Sequence, residues 1–131
     1  MKYLIDTHIF LWFVESSVKL SQKPKSVIED KKSEIFISIA SLWKISIKTS
    51  IGKLQIKGTF DSIESDLQDN SIEILPVTFA HTVENNQLPF HHRDPFDRII
   101  VSQAIIENMD FISSDDIFDE YLKGKPVKRI W

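Results

Sequence analysis

The chain has 131 residues and no cysteine, and 42% of its residues are hydrophobic and 27% charged. This length can bury a core without disulfides or a structural metal, and the absence of cysteine excludes disulfide frameworks, thiolate zinc sites and a cysteine nucleophile. No segment approaches the ~18 apolar residues that a membrane span needs, and Asp6 ends the first apolar run too early for a signal peptide. We therefore predict one cytoplasmic domain over residues 1–131, with no membrane partner.

Short apolar runs alternate with helical patterns along the chain. The predicted strands are 2–5, 35–37, 72–75, 111–112 and, at an edge of the sheet, 127–131. The predicted helices are one that follows Thr7, then 21–31, 38–50, 60–70, 78–87, 97–108 and 116–121. Such alternation is typical of βαβ units, so we predict an α/β fold, a three-layer α/β/α sandwich around a short, mostly parallel sheet.

The net charge of −3 is the sum of three unlike segments. Residues 1–60 carry +5, residues 61–122 carry −12, and residues 123–131 carry +4. An acidic centre between basic segments is either a solvated face or a cation-binding cluster beside segments that hold an anionic substrate.

Several acids stand where strands give way to helices. Asp6 follows the first strand, Asp115 follows the fourth, and Asp97 begins the most apolar helix. Helix capping alone explains each of these acids singly. Together, however, carboxylates at one edge of a parallel sheet repel one another, and a divalent cation relieves that repulsion. Mg2+ accepts one or two carboxylates and keeps waters and substrate phosphate, which favours metal-assisted phosphodiester cleavage with water as the nucleophile.

Four segments of the chain resemble the sequence blocks of PIN-domain proteins, and in particular those of VapC-type toxins of type II toxin–antitoxin pairs. The segments are Tyr3-Leu4-Ile5-Asp6-Thr7-His8, residues 38–45 with Lys48 and Gly52-Lys53-Leu54, residues 88–98, and Ile112-Ser113-Ser114-Asp115. The resemblance implies a PIN-like fold and a cytoplasmic endoribonuclease that uses Mg2+ or Mn2+. It also implies an RNA substrate, with tRNA as one candidate, a cognate antitoxin that usually binds DNA as well, and a homodimer.

The resemblance also implies which residues act. Asp6 and Asp97 match metal ligands, and Asp115 matches a weaker or water-mediated ligand. Asp94 belongs to the block at 88–98 and either assists the reaction or shapes the loop. At position 44 the family pattern has Glu after Ser-x-Trp, whereas this chain has Lys44. We expect an ammonium there to compete with the metal, to weaken Mg2+ binding and to impair the reaction.

Local physics leaves two readings of position 44 open. With Ser41 as the helix cap, Lys44 stands at the third helical position, where Glu would close a capping box and where a cation opposes the helix dipole. The other reading is a solvated lysine, because Lys44 and Lys48 are four residues apart and share a face away from Trp43 and Ile47.

The remaining candidates are cations and aromatic residues. We predict contacts with RNA phosphates from four side chains: His92, Arg93, Arg98 and Lys48. The two arginines could instead hold a carboxylate in place, and His91-His92 lack a nearby third ligand for a zinc site. The aromatic helix at 9–14 and the segment around Trp43 are candidate surfaces for a partner helix, although both could simply be core.

Two other functions compete with the nuclease. The first is a PIN-fold module that Lys44 has made inert and that still binds antitoxin or RNA. The second is a phosphotransfer receiver domain, which needs paired acids early in the chain and a late lysine after a strand. The single early acid, Asp6, speaks against the receiver domain.

Overall fold

A computed structural model describes residues 1–131. The strands are β1 (Lys2–Ile5), β2 (Glu34–Ser38), β3 (Ile72–Leu75), β4 (Asp110–Ile112) and β5 (Arg129–Ile130). The helices are α1 (Thr7–Val14), α2 (Gln22–Glu29), α3 (Ile39–Ser50), α4 (Ile63–Asp69), α5 (Phe79–Gln87), α6 (Pro95–Glu107) and α7 (Phe118–Leu122), and a 3-10 turn (Phe60–Ser62) precedes α4. None of these helices has the length and apolar character needed to cross a membrane.

The five strands form one sheet in the order β3-β2-β1-β4-β5, and every pair is parallel. The central strand is β1, whose last residue Ile5 pairs with Ile37 on one side and Ile112 on the other. The carboxyl ends of the strands therefore lie at one edge of the sheet, and the residues that follow β1, β2 and β4 meet there. The predicted sandwich is confirmed, with a sheet that is wholly parallel.

Both faces of the sheet are covered, because successive strand residues point to opposite sides. On one face Ile5 and Ile37 pack with apolar residues of α1, α2, α3 and α4. On the other face Leu4 and Phe111 pack with residues of α6 and α7. Each fully buried aliphatic or aromatic side chain contributes about 1.5–3 kcal/mol, so this double burial is what holds the strand ends in place.

The start of one helix differs from the sequence prediction, and the caps of two helices matter for the site. The helix predicted from 97 begins at Pro95, because Asp94 is its N-cap and accepts hydrogen bonds from the backbone N–H groups of Phe96 and Asp97. In α3 the N-cap is Ser38, whose hydroxyl accepts from the N–H of Ala40. The helix predicted over 38–50 is thus found, and the interpretation in which Ser41 caps it does not hold: Ser41 is buried inside α3 and accepts a hydrogen bond from the Thr7 hydroxyl at 2.9 Å.

Candidate active site

Asp6 lies at the carboxyl end of the central strand and is 7% exposed. One of its oxygens accepts the N–H of Thr7 at 2.8 Å, which caps α1, and the other accepts the hydroxyl of Ser113 at 2.8 Å. Burial raises the pKa of the Asp6 carboxyl, and the hydrogen bonds from Ser113 and Thr7 oppose that rise only in part. The fold therefore holds a poorly solvated carboxylate at this edge.

Asp97 is brought to the same edge by the start of α6. Burial, and then the negative charge of Asp6, raise the pKa of Asp97 to about 6. His92 Nε2 lies 2.9 Å from Asp97 Oδ2, and His92 and Lys44 oppose this rise only in part. The sequence prediction that Asp6 and Asp97 come together is thus met by the geometry.

Lys44 projects from α3 into this acidic cluster. Its ammonium donates a hydrogen bond to Asp94 Oδ2 at 2.7 Å and lies 3.7 Å from Asp97 Oδ1. Burial alone would lower the pKa of Lys44, but the hydrogen bond to Asp94 and the charges of Asp97, Asp94 and Asp6 hold it above its ordinary value. Lys44 also keeps the pKa of Asp94 below the usual range, against the opposing effect of burial. The side chain is therefore a charged ammonium paired with carboxylates.

The solvated reading of Lys44 is wrong, and the exposure of α3 is the reverse of what the pattern suggested. Lys44 is 9% exposed, whereas Trp43 is 63% exposed and Ile47 is 37% exposed. Lys44 lies on the face of α3 that points toward the sheet edge, where its ammonium contacts Asp94 and Asp97. Lys48, one turn later, forms no ion pair.

Asp115 stands apart from the buried carboxylates. It is exposed, its Oδ1 accepts the N–H of Ile117 at 3.1 Å, and its own N–H donates to the Ser113 hydroxyl at 3.1 Å. The same Ser113 hydroxyl donates to Asp6, so Asp115 is linked to the site through the side chain of one shared serine.

The side chains at this edge fit a divalent ion only in part. Two buried carboxylates that repel each other are hard oxygen donors of the kind that Mg2+ and Mn2+ prefer, so Asp6 and Asp97 fit such an ion by chemistry. No three acidic or histidine side chains, however, are grouped closely enough to hold a metal, and Lys44 contacts the same acids. The assignment of Asp6, Asp97 and Asp115 as a ligand set stays a prediction.

A network centred on Tyr121 of α7 holds the loop before α6. The buried phenol oxygen accepts the N–H of His91 at 3.1 Å, the N–H of His92 at 2.6 Å and Arg98 Nη1 at 3.2 Å. Arg98 also donates to the carbonyl of Pro89 at 3.0 Å. The network fixes the loop that carries both His92 and Asp94.

This network corrects one expectation and adds one residue. Arg98 holds no carboxylate, since its partners are loop carbonyls and a phenol. Arg93 is exposed and forms no ion pair, so its guanidinium faces solvent. Tyr121 was missed by the sequence reasoning, because it is a single aromatic residue in a short helix about 30 positions from its partners.

Three known structures have a similar fold. The structure of VapBC2 from Rickettsia felis, bound to a DNA fragment from its promoter, superposes with a TM-score of 0.71 at 20% identity, covering 99% of this chain and 98% of that chain. VapBC-1 from nontypeable Haemophilus influenzae gives a TM-score of 0.65 at 14% identity, covering 99% and 97%. FitAcB from Neisseria gonorrhoeae gives 0.59 at 13% identity, covering 98% and 96%.

Sequence comparison points the same way at the level of the family. No curated protein matches the chain. The PIN domain family model matches residues 3–123, a span that contains Asp6, Lys44, Asp94, Asp97 and Asp115. With that match and the fold described above, the chain belongs to the PIN-domain family.

Proposed function

We propose that this protein is a cytoplasmic toxin of a toxin–antitoxin pair, a single PIN-like domain that hydrolyses RNA phosphodiester bonds with the help of Mg2+ or Mn2+. The observation that carries the proposal is the convergence of Asp6 and Asp97 at the carboxyl end of the central strand, where burial raises the pKa of both carboxyls. A protein keeps two poorly solvated, mutually repelling carboxylates where their charge is used. The structural likeness to two VapBC complexes supports the toxin assignment.

The residues have separate roles in the proposed reaction. Asp6 and Asp97 would hold the ion, which would supply charge neutralisation and activation of the attacking water, and Asp115 would reach it through a water. His92 holds the carboxylate of Asp97 in one orientation. The exposed guanidinium of Arg93 is free to bind a substrate phosphate.

Lys44 impairs this reaction in the proposal. Its ammonium lies 2.7 Å from Asp94 and 3.7 Å from Asp97, so a divalent ion on Asp97 would meet an adjacent positive charge. Displacing the ammonium would also leave Asp94 without the partner that stabilises its charge. The same contact favours the alternative function, a catalytically inert PIN-fold module that binds antitoxin or RNA.

Cleavage of bulk tRNA during a Mn2+ titration tests the proposal. We expect Lys44→Glu to cleave faster than the unsubstituted chain by tenfold or more, which corresponds to about 1.4 kcal/mol or more of barrier. Lys48→Glu is the matched control, because it makes the same charge change one turn away, outside the ion pair. Lys48→Glu should not gain activity. No cleavage by Lys44→Glu at any Mn2+ concentration, with antitoxin binding intact, would select the inert module.

An apolar groove beside α3 supports a protein partner. It has a volume of about 530 Å3, and its lining includes Trp43, Phe96 and Ile99. Trp43 packs edge-on against Phe96 at 5.3 Å and is largely exposed, whereas Trp12 and Phe13 of α1 are half-buried against the core. Apolar grooves of this kind receive amphipathic helices.

Both proposed protein partners, the antitoxin and the second copy of a homodimer, could occupy this groove. Light scattering of Trp43→Glu separates them. A monomeric variant would assign the groove to the homodimer, and a variant that keeps the oligomeric state of the parent chain but no longer binds antitoxin would assign it to the antitoxin.

A further inference from the structure

Three aromatic rings form a row that starts beside Asp6. The His8 and Trp12 ring centroids are 6.0 Å apart, and the Trp12 and Trp131 centroids are 6.1 Å apart. His8 is two residues from Asp6, in the first turn of α1. The row therefore leads from the candidate active site to the last residue of the chain.

The sheet explains why Trp131 lies in this row. Trp131 directly follows β5, as Asp6 follows β1 and Ser113 follows β4. Since all strands are parallel, these three residues lie at the same edge of the sheet, in the spatial order β1, β4, β5. The end of the chain is thereby placed beside α1, the helix that carries His8 and Trp12.

The three rings differ in their exposure to solvent and in their contact with the core. His8 is exposed, and Trp131 is 36% exposed. Trp12 is half-buried and packs against the apolar core on the α1 face of the sheet. A ring held on one side by the core and open on the other can stack a planar ligand at little cost in side-chain entropy.

The charges near Trp131 are paired or acidic. Arg129 of β5 is paired with Asp119, and the charges of Asp116 and Asp115 also act on it. Lys128 forms no ion pair, but it precedes β5 and its backbone N–H donates to Asp110 at the opposite edge of the sheet. The component of single-stranded nucleic acid binding that this edge offers is therefore the aromatic faces.

We propose that His8, Trp12 and Trp131 form a stacking platform for bases of single-stranded RNA, next to the site of cleavage. The proposal rests on the RNA-directed function proposed above and deepens it, because it names an unpaired segment of RNA as the ligand. A base on His8 would place its neighbouring phosphate near Asp6. Stacking on an exposed ring depends on the π face and tolerates any base, so the platform fixes the position of the strand without selecting a sequence.

Fluorescence anisotropy of a labelled, short single-stranded RNA tests the platform. The full chain is used in EDTA, so that binding is measured without cleavage. We expect Trp131→Leu, which keeps an apolar side chain and removes the ring, to raise the Kd by roughly 5- to 100-fold, and Trp131→Phe to restore most of the affinity. The matched control is Phe79→Leu, which removes an aromatic ring that is 83% exposed and lies outside the row.

Further arms of the test separate stacking from other causes. An oligonucleotide of the same length without bases should bind the parent chain and Trp131→Leu equally, because only its phosphates remain. If Trp131→Leu melts at a lower temperature, His8→Ala replaces it, since His8 is exposed and its loss leaves the core intact.

Three results would overturn the platform: an unchanged Kd, a loss that also appears with the base-free oligonucleotide, or a loss of antitoxin binding with RNA binding intact. The last would make the row a protein docking surface. The nuclease proposal is tested independently of the platform. If Lys44→Glu stays inactive while RNA binding still depends on Trp131, the nuclease proposal fails and the platform stands.

Discussion

Replacing Lys44 by Met removes the only cation that donates to Asp94 and leaves two further acids, Asp97 and Asp6, without its charge. Breaking a buried ion pair by removing one partner costs about 3–5 kcal/mol. The side chains of Lys44 and Asp94 are 11% and 26% exposed, so water screens part of this cost. We therefore expect Lys44→Met to lose about 2–4 kcal/mol near neutral pH in EDTA, a fall of roughly 10 °C in Tm.

Thermal unfolding in EDTA and in millimolar Mn2+ measures both the loss and its cause. Mn2+ should raise the Tm of Lys44→Met more than that of the parent chain, because the ion gains carboxylates that the ammonium no longer holds. Lys48→Met, which removes an unpaired lysine from the same helix, should change stability by less than about 0.5 kcal/mol. The reasoning is refuted if Lys44→Met is as stable as the parent chain in EDTA, or if Mn2+ stabilises both chains equally.

Two other substitutions test the rest of the site. Because burial and Asp6 raise the pKa of Asp97 to about 6, the folded protein binds this proton more tightly than the unfolded chain, and the resulting stabilisation is lost as pH rises through about 6. Urea unfolding compares the stability of Asp97→Asn with that of the parent chain. The difference should grow in favour of Asp97→Asn by about 2 kcal/mol between about pH 4.5 and about pH 7.5. A difference that does not change with pH would contradict the raised pKa of Asp97. Tyr121→Phe removes the acceptor of two backbone N–H groups and should cost about 1–3 kcal/mol, whereas Tyr3→Phe, whose hydroxyl meets only the sulfur of Met1, should be nearly neutral in the same assay.

Much of the fold could be predicted because its signals are local. Alternating short apolar runs and helical patterns are enough to indicate a sandwich, and acids at strand ends indicate the site edge. The start of α6 was missed although its signal is in the sequence: Asp94 followed by Pro95 is a cap followed by a proline in the first helical turn. The apolar run alone places the helix start at Asp97, two residues after the observed first residue Pro95.

The contacts that decide the chemistry are long-range, and a single sequence does not encode them locally. Lys44 and Asp94 are 50 residues apart, so helical periodicity assigned Lys44 to a solvated face with Lys48. The cap of α3 was ambiguous for a related reason, since Ser38 and Ser41 are equally good caps and only the length of β2 decides between them.

The two carboxylate oxygens of Asp94 bind different partners. The release of Lys44 from Asp94 is thereby coupled to local unfolding at the start of α6. Oδ1 holds the backbone N–H groups of Phe96 and Asp97, while Oδ2 holds the ammonium of Lys44. A rotation of the carboxylate that releases Lys44 therefore also uncaps α6. Native-state hydrogen exchange at those two amides would then report, without substrate or metal, how often the Asp94 carboxylate rotates away from both partners.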